Sequence, residues 1–174
     1  MITVDNNARI FINKVESNFF VYEFVAPEIW NKWGVSSIRY IQEPIILATQ
    51  FLRTKTGLPI TICDWKSGGT YKDSGTRVKE SYDRMYGEEE GLNKYLATYS
   101  MHKFCGADDL KIGSLTSKEM ADVVKENEKP LMEIGIKRIE NPQKTQSKHG
   151  KLGRDWLHMD TAITGLPFIL QVDP

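Results

Sequence analysis

The sequence predicts an α+β fold in which helices flank a small, mainly antiparallel sheet. Two observations support this. One segment has apolar residues at helical spacing, and several short segments either alternate polar and apolar residues or are apolar throughout, as strands do. A third is that helices and strands do not alternate regularly along the chain, as they would in a parallel α/β fold. Because 174 residues can build a hydrophobic core without disulfides, we expect one domain over residues 1–174.

Two helices have clear sequence signals at their ends. The first is predicted to have Pro44 in its first turn, to bury a stripe that includes Leu52, and to end at Gly57. Thr116 and Glu119 form a capping-box pattern that opens the second. Pro130 is expected to kink or break this second helix.

The remaining segments are predicted from composition and alternation. Strands are expected at residues 58–65, 107–112, 136–140 and 155–160, with a strand or extended arm at 9–16 and a strand or tail at 166–172. Residues 66–96 are predicted to be a long irregular segment, with residues 88–90 in a solvated loop. We interpret the aromatic residues of the 19–33 segment as core rather than as a sugar-binding platform; they are Phe19, Phe20, Phe24, Trp30 and Trp33.

Charge and composition argue against several classes of partner. The 23 basic and 23 acidic residues cancel, so no strong field attracts the chain to nucleic acid or to an anionic membrane. The start of the chain lacks the features of a secretory signal, and no apolar run is long enough to span a bilayer. Cys63 and Cys105 do not make a disulfide framework, so we expect free thiols and synthesis in the cytoplasm.

Residue types that commonly bind metal ions are concentrated in two short segments, residues 100–109 and 156–160. His102 is followed seven residues later by Asp109, and His158 lies in the second segment, Trp156 to Asp160. Two imidazoles and one carboxylate are the usual protein ligands of an open zinc site, in which water takes the fourth position. Asp109 lies in the strand predicted at 107–112 and His158 in the strand predicted at 155–160, and backbone hydrogen bonds between such strands would hold these ligands in fixed positions. This pattern predicts a zinc hydrolase.

Interpretations without a zinc site of this kind stay open at this point. A histidine is more often a core or surface residue than a metal ligand. In that case the two histidine-containing segments occur together by chance, in a domain that binds no metal. His149, the third histidine, lies in a polar segment and is expected at the surface. Cys105 is an alternative fourth zinc ligand.

Several motifs, taken in order, resemble a known enzyme family. Ser-x-His-x6-Asp from Ser100 and Trp-x-His-x-Asp from Trp156 are similar to the zinc D-Ala-D-Ala carboxypeptidases and L-Ala-D-Glu endopeptidases, particularly their small phage-type members. Residues 15–25 resemble the "NF...EF" opening of those domains, and residues 38–44, 52–62 and 74–77 resemble their helix, first core strand and "SGYR" loop. The resemblance spans roughly residues 13–162.

The resemblance assigns roles to residues of this chain. It makes His102, Asp109 and His158 the ligands of one zinc ion. It also matches Arg77 to an arginine that faces the substrate or the transition-state oxyanion, and Ser100 to a serine that precedes the first ligand and that we take as substrate-binding.

The chain departs from the family pattern at two positions. Cys105 stands where the family usually has glycine, and Asp155 stands where the catalytic base is usually glutamate. Asp155 is one methylene shorter than glutamate, and a base must reach the attacking water at about 2.6–3.2 Å. Asp160 follows His158 on the same strand face, where it is a candidate to orient an imidazole or to cap the following turn with Thr161.

The resemblance implies hydrolysis of a peptide bond in peptidoglycan stem peptides, and so cell-wall lysis by an endolysin-like protein. An enzyme made without a signal would reach the cell wall after release by lysis or as part of a virion. We expect a monomer that binds neither nucleic acid nor membrane. The alternative is a metal-stabilised binding or virion structural module of the same fold that has lost hydrolysis.

Overall fold

A computed structural model describes residues 1–144 and 156–173. The helices of this part of the chain are α1 (Pro27–Trp33), α2 (Glu43–Thr56), α3 (Lys79–Tyr86), α4 (Glu88–Ala97), α5 (Ser117–Glu126) and α6 (Glu128–Ile134). Its strands are β1 (Ile2–Val4), β2 (Arg9–Ile12), β3 (Val15–Phe20), β4 (Ile60–Thr61), β5 (Ala107–Ile112), β6 (Arg138–Glu140), β7 (Leu157–Asp160) and β8 (Leu170–Val172). The predicted α+β fold class is confirmed.

The chain divides into two compact units. The first unit comprises Met1–Gln42 and Ile62–Gly106, and the second comprises Glu43–Thr61 and Ala107–Pro174. Each unit therefore combines two separate segments of the sequence. The single domain predicted over residues 1–174 stays a prediction.

The first unit contains a three-stranded antiparallel sheet in the order β1-β2-β3. Asn13 and Lys14 join β2 to β3, and both have positive φ angles of 50° and 69°. A two-residue turn with positive φ at both positions matches the right-handed twist of paired strands, which explains a tight hairpin here. Ile10 and Phe19 of this sheet are buried in the core of the unit.

The second unit contains a five-stranded sheet in the order β4-β5-β7-β6-β8. The pairs along this order are antiparallel except for β6 and β8, which are parallel. Helix α2 packs on β5 and α6, and α5 packs on β7 and α6. Leu52, Leu110 and Met120 are completely buried among these elements.

Several predicted boundaries are correct for the physical reason proposed. Helix α2 has Pro44 in its first turn and ends before Gly57, whose φ of 67° favours glycine. The capping box is present, because Thr116 Oγ1 accepts from Glu119 N and Glu119 Oε2 accepts from Thr116 N. The helix that follows breaks at Asn127, before Pro130, which lies in the first turn of α6.

Other predictions are wrong. Residues 66–96 are not irregular throughout, because α3 and most of α4 lie there, and residues 88–90 form the first turn of α4. The strand predicted at 58–65 is reduced to Ile60–Thr61. Trp33 is 45% exposed and is not a core residue, whereas Phe19 and Phe24 are buried as predicted. No helix in the described part of the chain has the length and apolar character needed to cross a membrane.

Candidate functional site

Asp109 and His158 face each other in the second unit. They are register partners on the antiparallel strands β5 and β7, so their side chains extend from the same face of the sheet. Asp109 Oδ1 lies 2.8 Å from His158 Nδ1. The backbone pairing of two neighbouring strands thus holds a carboxylate and an imidazole side by side.

Asp160 contacts the other nitrogen of the same imidazole. Its Oδ2 lies 3.1 Å from His158 Nε2, and it is two residues further along β7 on the same face. Arg138 of β6 donates to both oxygens of Asp160, from Nε at 3.0 and 3.1 Å and from Nη2 at 2.8 Å. Asp160 also accepts from Ala162 N at 2.9 Å, so the carboxylate orients an imidazole and stabilises the turn after β7 at once.

The two carboxylates control the charge of His158. Burial by itself lowers the pKa of His158, but the hydrogen bonds to Asp109 and Asp160 outweigh it and raise the pKa to about 10. Burial tends to raise the pKa of Asp160, whereas its bonds from His158, Arg138 and Ala162 lower it. Because carboxylates only accept, both ring nitrogens donate when nothing else binds there.

The neighbouring Asp108 lies on the opposite face of β5. It is 1% exposed, and Thr49 Oγ1 of α2 lies 3.5 Å from its Oδ2. Burial, followed by the nearby charge of Asp109, raises the pKa of Asp108 well above its usual range, against opposing effects of His158 and Thr49. Asp108 is thus a buried residue that contacts α2, and it is not part of the cluster around His158.

His102 belongs to the first unit and is 2% exposed. It lies in a short 3-10 helix, Met101–Phe104, and its Nδ1 is 2.7 Å from the carbonyl oxygen of Gly75. A carbonyl can only accept, so Nδ1 carries the proton and a neutral His102 has its lone pair on Nε2. This is the arrangement in which a histidine binds a metal through Nε2.

Gly75 is required by the backbone that surrounds it. A Cβ atom at this position would lie 2.2 Å from the carbonyl oxygen of Phe24. The next residue, Thr76, pairs with Val25, and Thr76 N donates to Phe24 O at 2.9 Å. The close approach of these two segments fixes the carbonyl that orients His102.

Arg77 and Ser100 lie in the same unit as His102. Arg77 N donates to His102 O at 3.0 Å, and Arg77 Nε donates to Asp73 O at 2.5 Å. Ser100 precedes the 3-10 helix of His102, and its carbonyl accepts from Lys103 N at 3.0 Å. Both side chains are half-buried, which leaves part of each accessible to a ligand.

Cys105 ends the 3-10 helix in a left-handed conformation, with φ at 59°. This conformation favours glycine, which gives a physical reason for a glycine at the matching position of the resembled family. Burial raises the pKa of the Cys105 thiol, and a hydrogen bond with Thr76 opposes that rise. A neutral thiol is not the form that binds zinc.

The predicted site residues are thus distributed over both units. Asp109, His158 and Asp160 are brought together in the second unit, and His102, Arg77 and Ser100 belong to the first. Asp155 and His149 lie outside the described residues. Two contributors were missed by sequence reasoning: Arg138, which has no motif around it, and Gly75, whose place in the Ser74–Arg77 motif was the available signal.

Comparison with family models, with curated proteins and with solved structures finds no match to this chain.

Proposed function

We propose that this protein is a zinc-dependent hydrolase that cuts a peptide bond in peptidoglycan stem peptides, of the D-Ala-D-Ala carboxypeptidase or L-Ala-D-Glu endopeptidase type. The proposed ligands of one zinc ion are His102, Asp109 and His158, and each of them offers one ligand atom. The observation that carries the proposal is the pairing of Asp109 Oδ1 with His158 Nδ1 at 2.8 Å.

The chemistry of these donors fits zinc. Two imidazole nitrogens and one carboxylate oxygen form a ligand set typical of zinc sites that keep a position open for water. Asp160 on Nε2 of His158 is the kind of outer acceptor that fixes a metal-binding imidazole and makes it more basic. The Gly75 carbonyl accepts from Nδ1 of His102 and would orient that imidazole in the same way.

The proposed division of labour among the remaining residues follows from their chemistry. When bound, zinc supplies a Lewis acid and lowers the pKa of a water molecule toward about 7. Asp155 accepts the proton of the attacking water and returns it to the leaving amine. Arg77 stabilises the negative charge that develops on the carbonyl oxygen, and Ser100 binds the peptide.

The test uses the full chain loaded with zinc, the same protein after treatment with a chelator, and purified peptidoglycan. We expect new free amino groups with zinc and none after chelation, and mass spectrometry of the released products identifies the bond. Re-addition of zinc is expected to restore cleavage. Unchanged peptidoglycan with zinc-loaded protein would contradict the proposal.

A second candidate function is a metal-stabilised binding or virion structural module. The observation that favours it is the aspartate at position 155, where the resembled family has the longer glutamate. In that case zinc is bound and chelation lowers the melting temperature, but no new free amino group appears. The same experiment therefore separates the two candidates.

A further inference from the structure

Asp73 lies between two arginines of the first unit. Its carboxylate accepts from Arg84 of α3, from Nη2 at 2.5 Å and from Nε at 3.3 Å. Its backbone carbonyl accepts from Arg77 Nε, also at 2.5 Å. One residue therefore links the guanidinium of Arg84 to that of Arg77, the group proposed to stabilise the oxyanion.

Arg84 is anchored on its other side by α1. Its Nη1 and Nη2 donate to the two carboxylate oxygens of Glu28, the second of them at 3.2 Å. The donors of a guanidinium form a rigid planar fork, so a guanidinium that is bonded to two carboxylates in this way has little freedom to rotate. An isolated exposed ion pair would fix its partners much less. Arg84 thus ties α1 and α3 to Asp73.

The backbone from Asp73 to Gly75 depends on anchors of this kind. In the described part of the chain, these three residues form no backbone–backbone hydrogen bond, and pairing with the neighbouring segment begins only at Thr76, whose N donates to Phe24 O. The paired bonds from Arg84 are therefore the charge-assisted contact that holds the Asp73 end of this short segment.

The bond to the Asp73 carbonyl sets the plane of the Arg77 guanidinium. Nε and both Nη groups lie in one plane, so a fixed Nε–H also fixes the directions of the Nη N–H bonds. A shift of the Asp73 carbonyl would turn these donors. Stabilisation of a developing charge depends on donors that are aligned before the reaction begins, so such a turn would slow catalysis.

We infer that Arg84 is a positioning residue, which holds Asp73 so that the Asp73 carbonyl orients the Arg77 guanidinium. The effect of Arg84 on hydrolysis rests on the proposed function, because Arg77 receives its role there. The link from Arg84 to Arg77 rests on the hydrogen bonds alone, and it is measured without a substrate.

The experiment follows the Arg77 Nε–H proton by NMR, in the full chain with isotope-labelled arginine. Its signal is identified as the one that is missing from Arg77→Lys. We expect slow exchange of this proton with water in the wild type, and exchange about tenfold faster in Arg84→Gln, because the accepting carbonyl is no longer held in place. Asp73→Asn keeps that carbonyl but weakens the link to Arg84. It should change the exchange in the same direction, and it provides the test if Arg84→Gln does not fold.

Arg9→Gln is the matched control. The Arg9 side chain is 26% exposed against 31% for Arg84, and it pairs with Glu16 at 3.2 Å in the same unit. Its replacement removes a similar ion pair and should leave the Arg77 signal unchanged. Rapid exchange of the Arg77 proton in the wild type, unchanged exchange in Arg84→Gln and Asp73→Asn, or an equal change in Arg9→Gln would overturn the inference.

Kinetics on purified peptidoglycan separate this inference from the proposed function. We expect Arg84→Gln to lower kcat/KM about tenfold in the wild-type background, and to have no further effect in an Arg77→Ala background, because it acts through Arg77. Full additivity of the two changes would contradict the positioning role. A protein whose Arg77 signal depends on Arg84 but which produces no new free amino groups contradicts hydrolysis alone. A protein that hydrolyses peptidoglycan while its Arg77 signal is indifferent to Arg84 contradicts the positioning role alone.

Discussion

Asp109 Oδ1 and His158 Nδ1 lie 2.8 Å apart on register partners of two antiparallel strands. Backbone hydrogen bonds fix both Cα positions, so neither side chain has to lose much freedom when a ligand bridges them. Paired strands are therefore a suitable support for two of the proposed zinc ligands.

Removing a proposed ligand should remove the metal. We expect the wild-type protein to bind about one equivalent of zinc, and His102→Ala and His158→Ala to lose most of it, as measured by elemental analysis after dialysis. His149→Ala is the control, because the third histidine is not a proposed ligand. Full retention of zinc in His102→Ala would sink the assignment of that residue.

Asp160 should increase the zinc affinity of the site without binding the zinc ion itself. Asp160→Asn keeps the size of the side chain but loses its charge and turns one donor toward Arg138. We expect the zinc affinity to fall about tenfold, the lower end of the usual range for such outer contacts. Asp173→Asn removes a carboxylate from an exposed pair with Lys144 and serves as control. Competition with a fluorescent zinc chelator gives both affinities, and equal values would contradict the role.

The fold could be predicted from the sequence where local signals agree with tertiary contacts. Pro44 and Gly57 bound a helix whose apolar stripe is buried, and Thr116 and Glu119 cap another. The prediction failed for α3 and α4, because their sequences are polar and carry few apolar residues at helical spacing. Trp33 was misplaced because an aromatic residue can lie at the surface, and sequence alone does not give its exposure.

The candidate site was accessible from sequence only as residue types and spacing. Asp109 and His158 were chosen as ligands in this way, but their direct register pairing is a property of strand order that the sequence does not reveal. Arg138 reaches Asp160 from a strand that carries no motif.

Gly75→Ala should disturb both the fold of the first unit and His102. The added Cβ would lie 2.2 Å from Phe24 O, so the backbone has to shift. We expect a loss of roughly 1–3 kcal/mol in the free energy of unfolding, the range for overpacked sites, measured by urea denaturation. The zinc content should fall as well, because the Gly75 carbonyl orients His102. Ser74→Ala is the neighbouring control, and a Gly75→Ala protein with wild-type stability would contradict the close approach.

Asp155 should be needed for turnover and not for metal binding. We expect Asp155→Asn to keep its zinc but to lose most of its activity on a muropeptide, because the amide cannot accept the proton. Asp155→Glu, which restores the family's usual residue, should retain activity. Asp122→Asn, an exposed carboxylate paired with Lys118, is the control. If Asp155→Asn hydrolyses at the wild-type rate, another group acts as the base.

Arg77 should stabilise the transition state far more than the fold. Its side chain is half-buried and is bonded through Nε to the Asp73 carbonyl, so Arg77→Ala removes that hydrogen bond, whose loss is expected to cost about 1 kcal/mol of stability. The kcat/KM should fall roughly a hundredfold, as for loss of one group that stabilises an oxyanion. Arg77→Lys should recover only part of this, because an ammonium lacks the planar fork of a guanidinium. Arg39→Ala, at an exposed position of the same unit, controls for the lost charge. Steady-state kinetics and thermal melts of the wild type and the three variants test this role. An Arg77→Ala protein that is unfolded or fully active would make Arg77 a structural residue.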